Sequence, residues 1–369
     1  MSRKIVIFLL AAFLIFSFSA CSGSKKTELS PGGKNKENLL KYLRSIEGKH
    51  ILTGQMDCSW NDDIDMMERV FNDTGKYPAI KGFDYLQYHF PTWSGGGSKQ
   101  TEEAIEWWNN GPIPGKNGIV TFCWHWRMPE KGAIRNDAVL DDYRPGFIIP
   151  FKDGELDKTD PKWELIQEDL DLIAEELTKL RDAGVPVLWR PLHEASNPAG
   201  RPGWFWWGAS RSTYLALWQY MHDYFTNEKN LDNLIWVWNG QNAFWVPDPS
   251  TYDIAGIDAY DDNRDKGREP NYQNTWHEHF SNLSVYSKGK LLALTENGAI
   301  PDPDALIANK TNWVYFMTWD DHSWDEGEYE KSNHWSGEWH NTNAHKVKVY
   351  HHQYAITLDE LPVLAVTRH

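Results

Sequence analysis

Two glutamates in this chain stand where a carboxylate is costly to keep unless it reacts. Glu194 ends the run Val185 to Glu194 (VPVLWRPLHE), in which a short apolar segment passes into Arg190-Pro191 and then sets His193 beside Glu194. Glu296 ends a second apolar segment, Lys290 to Thr295, and is followed by Asn297-Gly298. A carboxyl placed against buried apolar strands must find a partner or do chemistry. Two carboxyls facing each other can cleave a glycoside: one protonates the leaving oxygen while the other attacks the anomeric carbon. A separation of ~5 Å gives retention, and a wider gap admits a water and inverts. The two glutamates lie 102 residues apart, so only the fold can bring them together. Taken alone, Glu194 reads equally well as a structural partner for Arg190.

The elements that would have to position them form a repeating pattern. Eight short strand-like runs can be read: 50–53, 77–81, 118–123, 185–189, 233–238, 253–257, 290–295 and 313–318. Amphipathic helices lie between several of them. The clearest spans 161–183, where Ile166, Leu170, Ile173, Leu177 and Leu180 share one face, Pro161 marks the start and Gly184 the stop. Ile64, Met67 and Phe71 mark a second helix, and Tyr214, Leu217, Met221 and Phe225 a third. The short link between the fifth and sixth strands leaves room for only a brief helix. Eight strands alternating with helices predict an α/β fold, a (β/α)₈ barrel in one domain. Long loops, at 89–100, 131–160 and 320–341, all follow strand C-termini, the face that carries active sites in such barrels.

On that fold the strand ends converge: Trp124-His125-Trp126, His193-Glu194, Asp258-Ala-Tyr260-Asp261, Thr295-Glu296 and Thr318-Trp319-Asp320. His125 and His193 read singly as core histidines; together at strand ends they read as site residues. A zinc site with Glu194 would need ligands from separate strands, and the chain has no His-Glu-x-x-His helix. No metal or organic cofactor is expected. Asp84 reads as support for the barrel. Trp324, Trp335 and Trp339 read equally as sugar platforms or loop staples, and Arg144 and Phe147 as reaching outer subsites.

Composition narrows the partners. The chain has 369 residues, 37 Lys plus Arg against 52 Asp plus Glu, and a net charge of −15, which argues against nucleic acid and suits a neutral ligand. Its 21 Trp and 16 Tyr exceed what a core needs, and sugar rings stack on such faces. Cys58 and Cys123 have no zinc spacing and read as buried free thiols.

Arg3-Lys4, the apolar stretch Ile5 to Phe16, and Phe18-Ser-Ala-Cys21 form a secretory signal. Its end resembles a bacterial lipoprotein processing site, which implies a signal peptide over 1–20 and a lipid on Cys21. Residues 21–37 then read as a flexible tether and 38–369 as the catalytic domain. The expected location is the cell envelope, anchored to the outer membrane by the lipid alone and facing the periplasm.

The same motifs resemble glycoside hydrolase family 26, mostly β-mannanases. The resemblance rests on VLWRPLHE ending at Glu194, Trp204-Phe-Trp-Trp-Gly208, His50-Ile-Leu-Thr-Gly-Gln55, Trp124-His125, Gly256-Ile-Asp-Ala-Tyr260, Leu294-Thr-Glu296 and Phe316-Met-Thr-Trp319. It implies a retaining (β/α)₈ enzyme acting on β-1,4-mannan, with Glu194 as general acid/base and Glu296 as nucleophile. It further implies that His193 bonds near the nucleophile and substrate hydroxyls, and that Tyr260 holds Glu296 ionised. His125 and Trp204 would line the subsite of the cleaved sugar, and Trp319 its floor. The nine residues 195–203 look like an insertion that puts the place of Trp204 in question. Other readings are the same chemistry on mixed-linkage glucan or xylan, and a noncatalytic glycan-binding lipoprotein. An acid/base needs a raised pKa, and two charged histidines would oppose its cycle, so His125 and His193 are expected to be neutral.

Overall fold

Eight parallel strands close on themselves. They are β1 (Gly54–Met56), β2 (Ile80–Asp84), β3 (Ile119–Cys123), β4 (Val187–Arg190), β5 (Leu234–Trp238), β6 (Ile254–Ala259), β7 (Leu291–Asn297) and β8 (Phe316–Thr318). In this computed structural model they pair in the order β7–β8–β1–β2–β3–β4–β5–β6, and β6 returns to β7. The structure describes residues 28–59, 61, 63–89, 99–129, 147–260, 267–321, 331 and 333–366. Nearly every strand residue is buried, as in a parallel sheet covered on both faces, which is why the strands read as unbroken apolar runs.

Helices α1 (Pro31–Ile46), α2 (Met66–Thr74), α3 (Gln100–Asn110), α4 (Lys162–Asp182), α5 (Arg211–Asp223), α6 (His277–Tyr286), α7 (Pro303–Asn309) and α8 (Asn343–Tyr350) surround the barrel. The predicted stripe of α4 is fully buried, from Ile166 to Leu180. The face of α5 is buried too, and Phe225 continues it into a π-turn at Tyr224–Glu228. In α2, Met67 is buried, whereas Phe71 is half exposed and stacks on Tyr77 at 4.4 Å. Between β5 and β6 there are only two 3-10 turns, Ala243–Trp245 and Pro249–Thr251.

Two strands sit later in the chain than expected. Residues 51 and 52 pair with Ala355–Ile356 outside the barrel, and the barrel strand begins at Gly54. The second strand starts at Ile80 rather than at residue 77. Glycine reads as a strand breaker, but here the packing requires it. A Cβ on Gly54 would lie 2.4 Å from the Phe316 carbonyl oxygen, and one on Gly82 would lie 2.2 Å from Met56 Sδ.

The expected tether is also corrected over its second half. Pro31 opens α1 after Ser30, whose hydroxyl accepts from the Gly33 N–H at 2.9 Å. The Ser30 N–H donates to Asp232 at 2.8 Å, and Asn35 donates to the Gly184 carbonyl at 2.7 Å. A polar, glycine-rich composition conceals a helix that buries Leu39 and Leu43 completely. The signal segment and Cys21 lie outside the described residues, as do most of the three long loops, including Arg144 and Trp324. No described helix is long and apolar enough to cross a membrane.

Asp321 holds the segment after β8 to the barrel. Its carboxylate accepts from the Trp335 N–H at 2.8 Å and the Ser336 N–H, and pairs with the buried guanidinium of Arg69 on α2. Asp321→Ala would remove the carboxylate that faces that buried guanidinium, at an expected cost of ~3–5 kcal/mol. Chemical denaturation should show the lower midpoint; an unchanged midpoint would refute the pairing's importance.

Candidate active site

The site is built around one guanidinium. Arg190, the last residue of β4, is buried, and its two terminal nitrogens fork between Asp258 (3.0 Å) and Glu296. The fork is needed because Glu194, Asp258 and Glu296 each bring a carboxylate oxygen within 4.8 Å of the others. Three carboxylates at that spacing in a poorly hydrated pocket repel strongly, and Arg190 offsets part of the repulsion. The bland expectation that Arg190 pairs with Glu194 is not met: it faces Asp258 and Glu296 instead.

Each carboxylate is held differently. Glu296 accepts from Arg190 on one oxygen and from the Tyr260 hydroxyl on the other, at 2.6 Å. Asp258 takes Arg190 and the Thr295 hydroxyl (2.8 Å), and Asn239 donates to that hydroxyl at 2.7 Å. Glu194 receives one side-chain donor, Gln241 Nε2, at 3.1 Å. Burial and the Asp258 charge push Glu194 up to about 7, against the pull of Gln241 and Arg190. Burial, Asp258 and Glu194 push Glu296 up as well, while Arg190 and His125 pull it back. Glu296 has donors on both oxygens, which favour its ionised form, whereas Glu194 has the Gln241 amide on one.

The backbone is bent to make this possible. Leu192 and Glu194 have φ of 51° and 50°, and Gln241 has φ of 62°, in the left-handed region that non-glycine residues avoid. The Glu194 N–H donates to the Asn239 carbonyl at 2.8 Å, and Trp207 Nε1 donates to the His193 carbonyl at 2.8 Å, so both sides of the bend are tied. In β7 the register against β6 shifts between Leu294 and Glu296, a one-residue bulge at Thr295. A bulge re-aims the side chains beside it, here Thr295 and Glu296.

His193 and His125 meet Nε2 to Nε2 at 3.2 Å. Burial, His125 and Arg190 hold His193 well below the usual histidine range, so it is neutral, as expected. His125 departs from expectation. Burial lowers it, but Asp84 more than offsets burial, and the pKa is raised. Asp84 takes the ring Nδ1 of His125 on one oxygen and the His125 and Leu86 N–H groups on the other, at 3.0 and 2.9 Å. A proton on His125 Nε2 can then donate to the bare Nε2 of His193. Asp84 therefore positions a site residue, beyond the purely structural part expected of it.

The aromatic run after Glu194 is divided by burial. Trp206 and Trp207 are fully buried, Phe205 nearly so, and Trp204 is 68 % exposed. Phe205, not Trp204, has its ring against His193 (5.0 Å) and His125 (5.5 Å), and it stacks on Trp207 at 4.4 Å. The residues before Trp204 fold back on themselves. Ser196 bridges Pro202, Asn197 N–H donates to the Arg201 carbonyl, and Gly203 N–H returns to Ala195, which makes a closed hairpin. Gly203 is required at its neck, since a Cβ there would lie 2.0 Å from the Glu194 carbonyl oxygen. Trp319 is half-buried and meets His125 edge-on at 5.7 Å.

Of the other expectations, Trp335 is a staple, buried and donating to Asp73 at 2.9 Å. Phe147 packs against Trp206 at 5.1 Å in the core rather than reaching outward. Cys58 and Cys123 are buried free thiols. Sequence reasoning placed Asp258 at the mouth without giving it a role, and missed Arg190 and Gln241 as site residues. A lone arginine at the end of an apolar strand was a usable signal, since buried arginines are rare unless paired; Gln241 offered none.

Asp84→Asn removes the charge that raises His125, so the His125 pKa should fall. A titration of the His125 ring followed by NMR measures this directly; the same pKa in both proteins would contradict the pairing.

Comparison with known proteins places these features in context. The family model for glycosyl hydrolase family 26 matches residues 30–360. The mannan endo-1,4-beta-mannosidase of Thermothelomyces thermophilus is 36 % identical over 331 residues, covering 88 % of this chain. The chain spans only 60 % of that relative's length, and 52 % and 49 % of two further relatives from Piromyces. Among solved structures, the family 26 β-(1,4)-mannanase of Podospora anserina superposes with a TM-score of 0.73 at 30 % identity, covering 90 % of this chain and 68 % of the other. A β-mannanase from a symbiotic protist of the termite Reticulitermes speratus, complexed with gluco-manno-oligosaccharide, gives a TM-score of 0.69 at 28 % identity, covering 91 % and 96 %.

Proposed function

This chain belongs to glycosyl hydrolase family 26, and from that premise we propose that it hydrolyses β-1,4-mannosidic bonds with retention of configuration. The observation that carries the reading is the approach of Glu194 and Glu296, whose nearest oxygens lie within 4.8 Å. That spacing suits direct attack by one carboxylate; an inverting pair stands ~6.5–9.5 Å apart to hold a water between. The names of the relatives, and the gluco-manno-oligosaccharide held by one of them, support mannan or glucomannan as the substrate.

The chemistry follows from the partners of each group. Glu296, ionised by Arg190 and Tyr260, attacks the anomeric carbon. Glu194, protonated near pH 7, gives its proton to the departing glycosidic oxygen. In the glycosyl-enzyme the Glu296 charge is gone, so the field that raises Glu194 weakens. Glu194 then takes a proton from water, the resulting hydroxide attacks the anomeric carbon, and Glu296 leaves. Two inversions give net retention. Asp258 keeps Arg190 in place, and His125, Phe205 and Trp319 line the wall beside the carboxyl pair. Trp204 lies farther out, where it suits an outer sugar.

Glu296→Ala should lower turnover of mannan at least ~1,000-fold, and NMR of fresh wild-type products should show the β-anomer first. Unchanged turnover, or an α-anomer first, would sink the reading. Mannan, mixed-linkage glucan and xylan assayed side by side should give products from mannan in large excess.

We also read Cys21 as the lipid-bearing residue of an envelope protein facing the periplasm, on the strength of the apolar signal before it. Cys21→Ser should then move the protein from the membrane to the soluble fraction of fractionated cells; continued membrane retention would count against it.

A further inference from the structure

We propose that Gln241 is a positioning residue for Glu194, fixing which carboxyl oxygen carries the mobile proton and favouring the ionised form that must receive it back. The inference rests on the acid/base reading of Glu194.

Gln241 lies just past the end of β5, after Asn239-Gly240, with its backbone in the left-handed region at φ 62°. Holding a glutamine there costs ~1 kcal/mol or more, a cost that side-chain bonds help to offset. Its amide makes three bonds. Nε2 donates to Glu194 at 3.1 Å and to the Asp258 carbonyl at 2.9 Å. Oε1 accepts from the Asp258 N–H at 3.2 Å. These bonds determine the orientation of the amide. Turned over, it would set its NH₂ against the Asp258 N–H and its oxygen against two other oxygens. The β6 backbone therefore forces a donor onto Glu194.

The donor acts in both halves of the reaction. It engages one oxygen, Oε1, so a proton on Glu194 resides on Oε2, the oxygen free to meet the leaving group. Once that proton has gone, the bond becomes charge-assisted and stronger, so it favours ionised Glu194. It opposes burial and the Asp258 charge, which push Glu194 up, and it works in the same direction as Arg190. The same elbow also ties the main chain, through Glu194 N–H to the Asn239 carbonyl. The charged and titratable groups around this bond are Arg190 and His193 on the β4 side, Asp258 and Tyr260 on the β6 side and Glu296 on β7; Glu278 and His279 of α6 line the groove behind Gln241. None of them replaces an amide donor at Glu194 Oε1.

The test compares the pH dependence of kcat/KM on a soluble mannooligosaccharide for the wild type, Gln241→Met and Gln241→Glu. The alkaline limb reports the acid that must be protonated. Methionine removes the donor at similar length. Glutamate keeps the acceptor for Asp258 N–H and the shape of the side chain but turns the donor into an oxygen. Both should move the alkaline limb upward, by about one pH unit. A merely structural role would lower kcat at every pH for Gln241→Met and leave its limb in place; Gln241→Glu sets a new carboxylate beside Glu194, so its limb moves by charge as well as by loss of the donor. An unmoved limb in folded variants overturns the proposal, and if Gln241→Met fails to fold, Gln241→Leu, which likewise lacks a donor and adds no charge, carries the test. Glu194→Ala with azide distinguishes the underlying reading. Loss of the limb with azide rescue as a glycosyl azide supports the acid/base role, whereas a retained limb without rescue removes that role and this proposal with it.

Discussion

The Arg190 guanidinium is the constraint on which the site depends. Three carboxylates within 4.8 Å of one another could not all be kept near-ionised in a buried pocket without a cation among them. An arginine suits this better than a lysine, because its planar fork reaches two carboxylates on neighbouring strands at once. It lies at the end of β4, and Asp258 and Glu296 lie at the ends of β6 and β7, so the ion pairs also bind the barrel's C-terminal rim across its mouth. The arrangement leaves Glu194 outside the fork. Glu296 therefore has a cation on one oxygen, and Glu194 has the Gln241 amide instead.

The rest of the mouth converts barrel geometry into side-chain aim. Regular strands would point Glu194 and Glu296 where the pleat dictates. The left-handed residues at 192 and 194 and the bulge at Thr295 override it. Each irregularity is tied down by a neighbour: Asn239 and Trp207 hold the bend after β4, and Asn239 and Asp258 hold Thr295. Strain of this kind persists only where the surroundings over-determine it, and a closed sheet of eight strands supplies that rigidity. The histidine pair follows the same logic on the other wall, where Asp84 from β2 fixes the ring of His125 and the ring of His125 fixes that of His193.

The hairpin at 195–203 closes on itself beside Glu194. It leaves and returns at Ala195 and Gly203, so the chain resumes against Glu194 as if the loop were absent. Its consequence is local: Trp204 stays at the surface and Phe205 becomes the ring beside the histidines.

Much of this was legible from the order of residues alone. Eight apolar runs separated by helical periodicity implied the barrel, since a parallel strand buried on both faces must be apolar throughout. The positions of Glu194 and Glu296 at strand ends marked them as the candidate pair, and the structure brings them together. Strand starts were misjudged by a few residues at Gly54 and Ile80, in strands where close packing at Gly54 and Gly82 outweighs intrinsic preference, and the helix at Pro31 was hidden by its polar composition. What only the tertiary structure decided is the pairing: Arg190 with residues 68 and 106 positions away, His125 with Asp84, Phe205 in place of Trp204, and Gln241 on Glu194. Local sequence sets periodicity and therefore elements. Charge state and contact depend on distances of a few ångströms between distant residues, and those distances exist only once the barrel has closed.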